Sequence, residues 1–311
     1  MKFALFYDII KVILIYLERI FMKIGEKIKM LRTSKLMTQS ELAGTEITRN
    51  MLSRIENGAA QPSLDTLRYI AAKLNVSPGF LLAEAGDEKI YLKHNEMNGI
   101  KTAYLTGDYR ICRDICLNSA SGSDDEVQLI LAECTLGVAV EEFSKGNLHA
   151  SAEYFDMAIQ ACGTTIYNTD HILAMAAMYF RYIQQISATI SSNYIDEAEV
   201  AVYAAFHDPF CAYAANFIAL RDEALNVVLP ELREDGIFAS HIEAMKYMRK
   251  GEYALAYENL HRILISDDPI PEPMMYFVFC DLEVCCRETN NFKGAYEYSI
   301  DKIELLQKML S

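Results

Sequence analysis

Arg49, Asn50, Ser53 and Arg54 are the residues of this chain whose types and spacing best suit recognition chemistry. At about 100° per residue they fall on one stripe of a short helix. Arginine's planar fork matches the guanine edge, asparagine can bridge adenine, and serine donates or accepts. That stripe can face outward only if the opposite side is buried, and Leu52, Ile55 and Ile47 supply the apolar side. Thr48, just ahead, has the side chain to cap the helix. The chemistry implied is reading of base edges in duplex DNA rather than bond breaking. No Gly-rich phosphate loop, HExxH run, nucleophile elbow or recognisable carboxylate pair occurs elsewhere. Asp170-His171 and His207-Asp208 read as chance neighbours. The sequence therefore points away from an enzyme, and neither cofactor nor metal is expected.

The elements that must position this stripe are short helices. Ile24, Ile28 and Leu31 recur at helical spacing and predict a first helix over 24–36. Thr38 with Glu41 makes a capping box, and Met37 with Leu42 a hydrophobic staple, so a second helix starts there. The second and third helices, joined by a tight turn, have the form of a helix-turn-helix, which lays its second helix in the major groove. Pro62-Ser63 breaks the chain, and Leu64, Leu67, Ile70, Ala71 and Leu74 predict a fourth helix. Ser77-Pro78 opens a fifth, with proline at the first helical position, where its missing N–H costs nothing.

The whole five-helix run, 24–83, resembles the lambda-repressor-like XRE family. The resemblance lies in Gln39, Leu42-Ala43, Ile47-Thr48-Arg49, the block Ser53-Arg54-Ile55-Glu56-Asn57-Gly58, Pro62-Ser63-Leu64 and Leu74-Asn75-Val76. It implies DNA contact from Thr48 and base reading by Arg49, Asn50, Ser53 and Arg54. It also implies phosphate contacts from Gln39 and Asn57, and a structural ion pair between Arg32 and Glu56. One departure stands out: Gly44, Thr45 and Glu46 make the turn one residue shorter than the common family spacing.

Charge follows the same division. The 311 residues carry a formal net charge of −14, which seems unsuited to DNA until it is split. Residues 22–83 hold nine Lys/Arg against five Asp/Glu, whereas 84–311 hold seventeen against thirty-six. Only the first segment has the sign that phosphates require. The eight cysteines lie in apolar stretches with no CxxC pair and no zinc-like histidine spacing, and read as reduced core thiols. Residues 1–21 are apolar, but their uninterrupted core, Val12–Leu17, is flanked by Asp8, Lys11, Glu18 and Arg19. Such a stretch is too short and too charged to span a membrane, and reads as an overlong translation start or an extension.

Beyond Gly86 the chain reads as helices separated by short polar breaks. Gly107-Asp108-Tyr109, Gly146-Asn147-Leu148, Ser192-Asn193-Tyr194, Gly251-Glu252-Tyr253 and Asn290-Asn291-Phe292 each close one helix and open another. Ala-rich amphipathic sequence follows them, at intervals longer and looser than the roughly 34-residue tetratricopeptide period. The grammar resembles degenerate tetratricopeptide repeats, which stack into an α-solenoid with a concave face. Pro209, Pro230 and Pro269/Pro271/Pro273 mark further boundaries. The aromatic load around 179–217 and 276–279 reads mainly as core, while Asn216 and Asn259 are candidates to present carboxamides to a peptide.

The expected architecture is all-α: an extension (1–21), a helix-turn-helix domain (22–86) and a tetratricopeptide-like array (87–311). That combination resembles the peptide-responsive Rgg/PlcR-like regulators of Gram-positive bacteria. The resemblance implies a cytoplasmic homodimer on a palindromic operator in duplex DNA, biased by an oligopeptide, with no membrane partner. The alternative is an array that only dimerises or docks another protein. Solvent-facing aromatic and Asn positions favour the first, a filled groove the second.

Overall fold

The computed structural model describes residues 23–83, 88–119, 121–194, 202–222, 229–233 and 236–311. All regular structure among them is helical. The expectation for residues 1–21 lies outside the described residues. Among the described residues, no helix is long and apolar enough to cross a membrane. Contacts divide the chain into two compact units: one ends at Leu105 and takes in 118–122, the other comprises 106–117 and 123–311.

The first unit opens with five short helices: α1 (Ile24–Ser34), α2 (Gln39–Ala43), α3 (Arg49–Glu56), α4 (Leu64–Lys73) and α5 (Pro78–Leu82). Their starts are set locally. Thr38 accepts from Glu41 N while Glu41 accepts from Thr38 N, closing the capping box. Thr48, Ser63 and Ser77 each accept from the backbone N–H three residues on. Helix α1 stops at Ser34, two residues short of expectation, because Leu36 takes a left-handed conformation (φ 57°) and turns the chain toward α2. Ile28, Leu42, Leu52, Ile55, Leu67, Ile70, Leu74 and Leu81 form the core, whereas Leu64 is exposed. Helix α6 (Glu88–Leu105) completes this unit.

Two features of this small core depend on contacts far apart in sequence. Lys27 is buried, and its ammonium donates to Ala83 O at 2.7 Å, satisfying a carbonyl just past α5. Gly25 lies so close to α3 that a Cβ there would sit 2.1 Å from Ile55 O. That atom is backbone and cannot swing away.

The second unit consists of α7 (Tyr109–Asn118), α8 (Asp125–Ser144), α9 (Leu148–Cys162), α10 (Asp170–Gln184), a 3-10 turn (Val202–Ala205), α11 (Pro209–Arg221), α12 (Ile237–Arg249), α13 (Tyr253–Leu264), α14 (Glu272–Glu288) and α15 (Phe292–Leu310). Three antiparallel hairpins, α8/α9, α12/α13 and α14/α15, share one turn. Gly146, Gly251 and Asn290 are left-handed, and the next residue's N–H reaches back to the carbonyl five positions earlier. This is the Schellman closure, and asparagine is the residue that sometimes takes glycine's place in it. The prolines act as expected of boundaries, Pro209 opening α11 and Pro273 lying in the first turn of α14. The Ser192-Asn193-Tyr194 break is a bend tied to Asp156, which accepts from Ser192 Oγ and from the backbone and side chain of Asn193.

Successive helices pack on one another, and the array curls until its last hairpin touches its first. Phe277 of α14 packs edge-on against Tyr182 (5.5 Å between ring centroids) and at a tilt against Phe217 (4.7 Å). Glu272 and Met309 press on Gly146, where a Cβ would lie 2.5 Å from the Glu272 carboxylate. Tyr179, Phe180, Tyr182, Tyr213 and Phe217 are thereby buried as core rather than displayed on a concave face. Tyr182 and Tyr213 hydroxyls meet at 3.2 Å, Tyr213 reaches His241 Nδ1 at 2.7 Å, and His241 Nε2 meets Asp281 at 3.0 Å. Burial pushes both phenols up, so they remain neutral links in this chain.

The Gly25 approach makes a sharp prediction. Gly25→Ala forces α1 away from α3 and should destabilise the first unit by about 3 kcal/mol, the upper range for overpacking. Urea unfolding followed by circular dichroism tests it. Alanine's better helix propensity would produce the opposite sign if the approach were loose.

Candidate nucleic-acid interface

Helix α3 presents the stripe. Leu52 and Ile55 are buried on one side, with Ile47 partly buried beside them. Arg49, Asn50 and Arg54 are exposed, and Ser53 is half-buried at the stripe's inner edge. Among the described residues, the guanidinium groups of Arg49 and Arg54 make no hydrogen bond or ion pair, so both forks are open to a ligand. Thr48 is exposed at the head of the helix, and its hydroxyl accepts from Met51 N at 3.1 Å. Asn57 is exposed where α3 ends, just before left-handed Gly58.

Behind the stripe lies a buried polar knot. Arg32 Nε donates to Glu56 Oε1 at 2.7 Å and Arg32 Nη2 to Glu56 Oε2 at 3.1 Å, a two-point grip between α1 and α3. Arg32 Nη1 also donates to Met37 O at 2.8 Å, tying in the entry to α2. Gln39 Nε2 donates to Glu56 Oε2 at 2.8 Å. Burial pushes the Glu56 carboxyl up, but hydrogen bonds from Arg32 and Gln39, with the charges of Arg32 and Lys29, outweigh it and hold it below the usual carboxylate range. Gln39 thus has a structural partner that its position at the start of α2 did not reveal. A phosphate contact would fall to its remaining amide hydrogen.

The short turn between α2 and α3 is closed by tertiary contacts. Gly44 is left-handed (φ 57°), and a Cβ there would lie 2.3 Å from the Tyr69 hydroxyl. That hydroxyl donates to Ala43 O at 3.0 Å, and Lys73 Nζ to Glu41 O at 3.3 Å. Helix α4 therefore fixes the end of α2. The signal that would have located these contacts is absent locally, because Tyr69 and Lys73 lie 26 and 32 residues away.

The proposed peptide contacts fare differently. Both hydrogens of Asn216 Nδ2 are used, one on Ala212 O and one on Pro230 O, each at 3.0 Å. It staples residue 230 to α11 and has no donor left for a peptide. Asn259 Nδ2 donates to Leu255 O of its own helix at 2.9 Å. A cavity of about 510 Å³ is bordered by Phe206, Ala212, Leu232, Ile237 and Phe238, with Arg233 and Asp268 among its polar lining. The cysteines are free thiols, seven of them buried. Burial and neighbouring Cys112 push the Cys116 thiol up to about 12.

Residues 28–81 match the helix-turn-helix family model. This span covers α2 to α4 and most of α1 and α5. No curated protein matches the chain. Among solved structures, that of PlcR from Bacillus thuringiensis in complex with the peptide PapR7 and DNA is similar at 16% identity, over 92% of this chain and 95% of that one, with a TM-score of 0.22.

The knot behind the stripe has a pH signature. Glu56→Gln keeps the shape but removes the charge, and should cost about 1–3 kcal/mol at neutral pH. A carboxyl whose folded pKa is depressed stabilises above its unfolded value of roughly 4.3 and loses that contribution as pH falls through the folded value. The stability gap between wild type and variant, measured by denaturant unfolding, should therefore be full at pH 7 and shrink below about pH 4. A gap constant down to pH 3 would contradict this account.

Proposed function

We propose that this helix-turn-helix protein is a sequence-specific transcription regulator whose helical array senses a small ligand, an oligopeptide. The observation that carries the DNA-reading half is the stripe on α3: two exposed arginine forks without partners among the described residues, an exposed asparagine and a half-buried serine, held on a buried apolar face. Arg49 and Arg54 are the candidates for guanine, Asn50 for adenine, and Asn57 with Gln39 for flanking phosphates. The basic balance of residues 22–83 favours phosphates, while the acidic remainder disfavours them.

The sensing half is supported by the 510 Å³ cavity, which falls in the range of small-ligand pockets and combines apolar walls with charged groups. Ligand and DNA would be coupled only if the ligand binds two states of the protein unequally. A second reading, in which the array docks a protein partner and takes no small ligand, is favoured by the aromatic residues being buried as core. As a regulator it would work as a homodimer on a palindrome, with half-sites about 34–36 Å apart or a multiple of that.

Selection of random duplex DNA by the full chain, with and without candidate peptides, tests both halves. The proposal expects an enriched palindrome whose affinity changes with a peptide. A palindrome indifferent to every peptide leaves the docking reading, and no enrichment removes the regulator. Arg49→Ala and Arg54→Ala should each cost about 1–3 kcal/mol on the selected site and relax preference at one position. Equal losses on specific and random duplexes would reassign that arginine to phosphate contact.

A further inference from the structure

The Arg32 grip holds α3 at one end only. Glu56 is the last residue of the helix, while Arg49 and Asn50 open it at the end furthest from that grip. Its eight residues make a helix about 12 Å long. A tilt of about 5° around Glu56 therefore moves the first turn by about 1 Å. Hydrogen bonds to base edges tolerate about half of that, since N–H···O distances run from roughly 2.7 to 3.2 Å. One anchor fixes how α3 is rotated, but a second is needed to fix where it points.

The chain that feeds α3 supplies little restraint of its own. Gly44 adopts φ 57° and ψ −134°, a conformation open to glycine and rarely to other residues. Backbone closes this turn through Ile47 N to Ala43 O at 3.4 Å, longer than the usual range. A side chain from α4 makes the tighter bond, with the Tyr69 hydroxyl donating to the same carbonyl at 3.0 Å. One turn further along α4, Lys73 donates to Glu41 O at 3.3 Å, its ammonium 5.7 Å from the Tyr69 ring centroid. Water could satisfy the last carbonyls of a five-residue helix such as α2. Here a phenol 26 positions away does so, from a helix whose Leu67, Ile70 and Ala71 are buried in the same core.

We propose that Tyr69 is a positioning residue for base reading: with Lys73 it clamps the end of α2 and so sets the angle at which α3 meets DNA. The role rests on α3 being the reading helix, and Tyr69 itself touches no base. The Arg32–Glu56 pair holds the end of α3, and the Tyr69 hydroxyl holds the carbonyl from which the turn into α3 departs. Two anchors on either side of the helix define its axis, and both are carried by helices packed in one core.

Tyr69→Phe in the full chain tests this, because it removes one oxygen and keeps the ring. Fluorescence anisotropy compares the duplex selected from random DNA with a scrambled duplex of equal length at the same salt. The variant should bind the selected duplex about tenfold more weakly, the size of one disturbed bidentate base contact. Its affinity for the scrambled duplex should stay within about twofold of wild type, because that binding rests on phosphates. Its thermal midpoint should drop by only a few degrees, the effect of about one hydrogen bond. A bond that serves stability alone would lower the midpoint and leave both affinities unchanged in the folded protein. That result overturns the proposal, as does an equal loss on both duplexes. In combination with Arg49→Ala the losses should be less than additive, since a tilted helix has already weakened that contact. Fully additive losses also overturn it. If Tyr69→Phe does not fold, Lys73→Met, which keeps the stem and removes the donor, carries the same comparison. A wild type that selects no duplex removes the regulator reading and this role with it, whereas an unchanged ratio on a selected site removes the role alone.

Discussion

The grip of Arg32 on Glu56 is the interaction on which the exposed face of α3 depends. It joins α1 to α3 through two hydrogen bonds, and Gln39 and Met37 O join α2 to the same pair. Three short helices share one charged centre that water scarcely reaches. None of them is long enough to be stable alone, since isolated helices below about 12 residues are marginal. Holding α3 by its inner face leaves Arg49, Asn50 and Arg54 free on the outer one. A buried pair of this kind contributes little net stability compared with an apolar substitute, but removing one partner strands a charge. Its value here is orientation: it fixes the rotation of α3 about its own axis, which decides which side chains point outward.

The body solves a different problem. Its hairpins cannot bury their apolar faces singly, and each is covered by its neighbours. Curling brings Phe277 back onto Tyr182 and Phe217, so aromatic residues from four helices or more share one core. The polar chain from Tyr182 through Tyr213 and His241 to Asp281 runs through that core with each link bonded. Those links join α10, α11, α12 and α14, so they define which faces meet where aromatic packing alone would accept several rotations. The cavity beside Phe206 and Phe238 lies where this packing leaves space at the starts of α11 and α12.

Local signals were legible in the residues themselves. The capping box at Thr38/Glu41, the caps at Thr48, Ser63 and Ser77, and the left-handed turns at Gly146, Gly251 and Asn290 involve atoms within five positions of one another. So did the outward stripe, because Leu52 and Ile55 must turn inward and the helical period does the rest. What escaped were the partners. Lys27 looks like a surface residue yet caps Ala83, 56 positions away. Gln39 looks free yet bonds Glu56. Asn216 looks available and is spent on Pro230.

By itself, the sequence determined that the chain is helical, where most helices begin, which side of α3 faces outward, and that charge separates residues 22–83 from residues 84–311. These follow from interactions a few residues long, for which the backbone period supplies the geometry. Only the tertiary structure decided that Gly25 must be bare, that the aromatic residues of the array close into a core, and that Tyr69 of α4 holds the end of α2. Each of these depends on the distance between atoms remote along the chain. A helical pattern specifies which residues share a face, but not what that face meets.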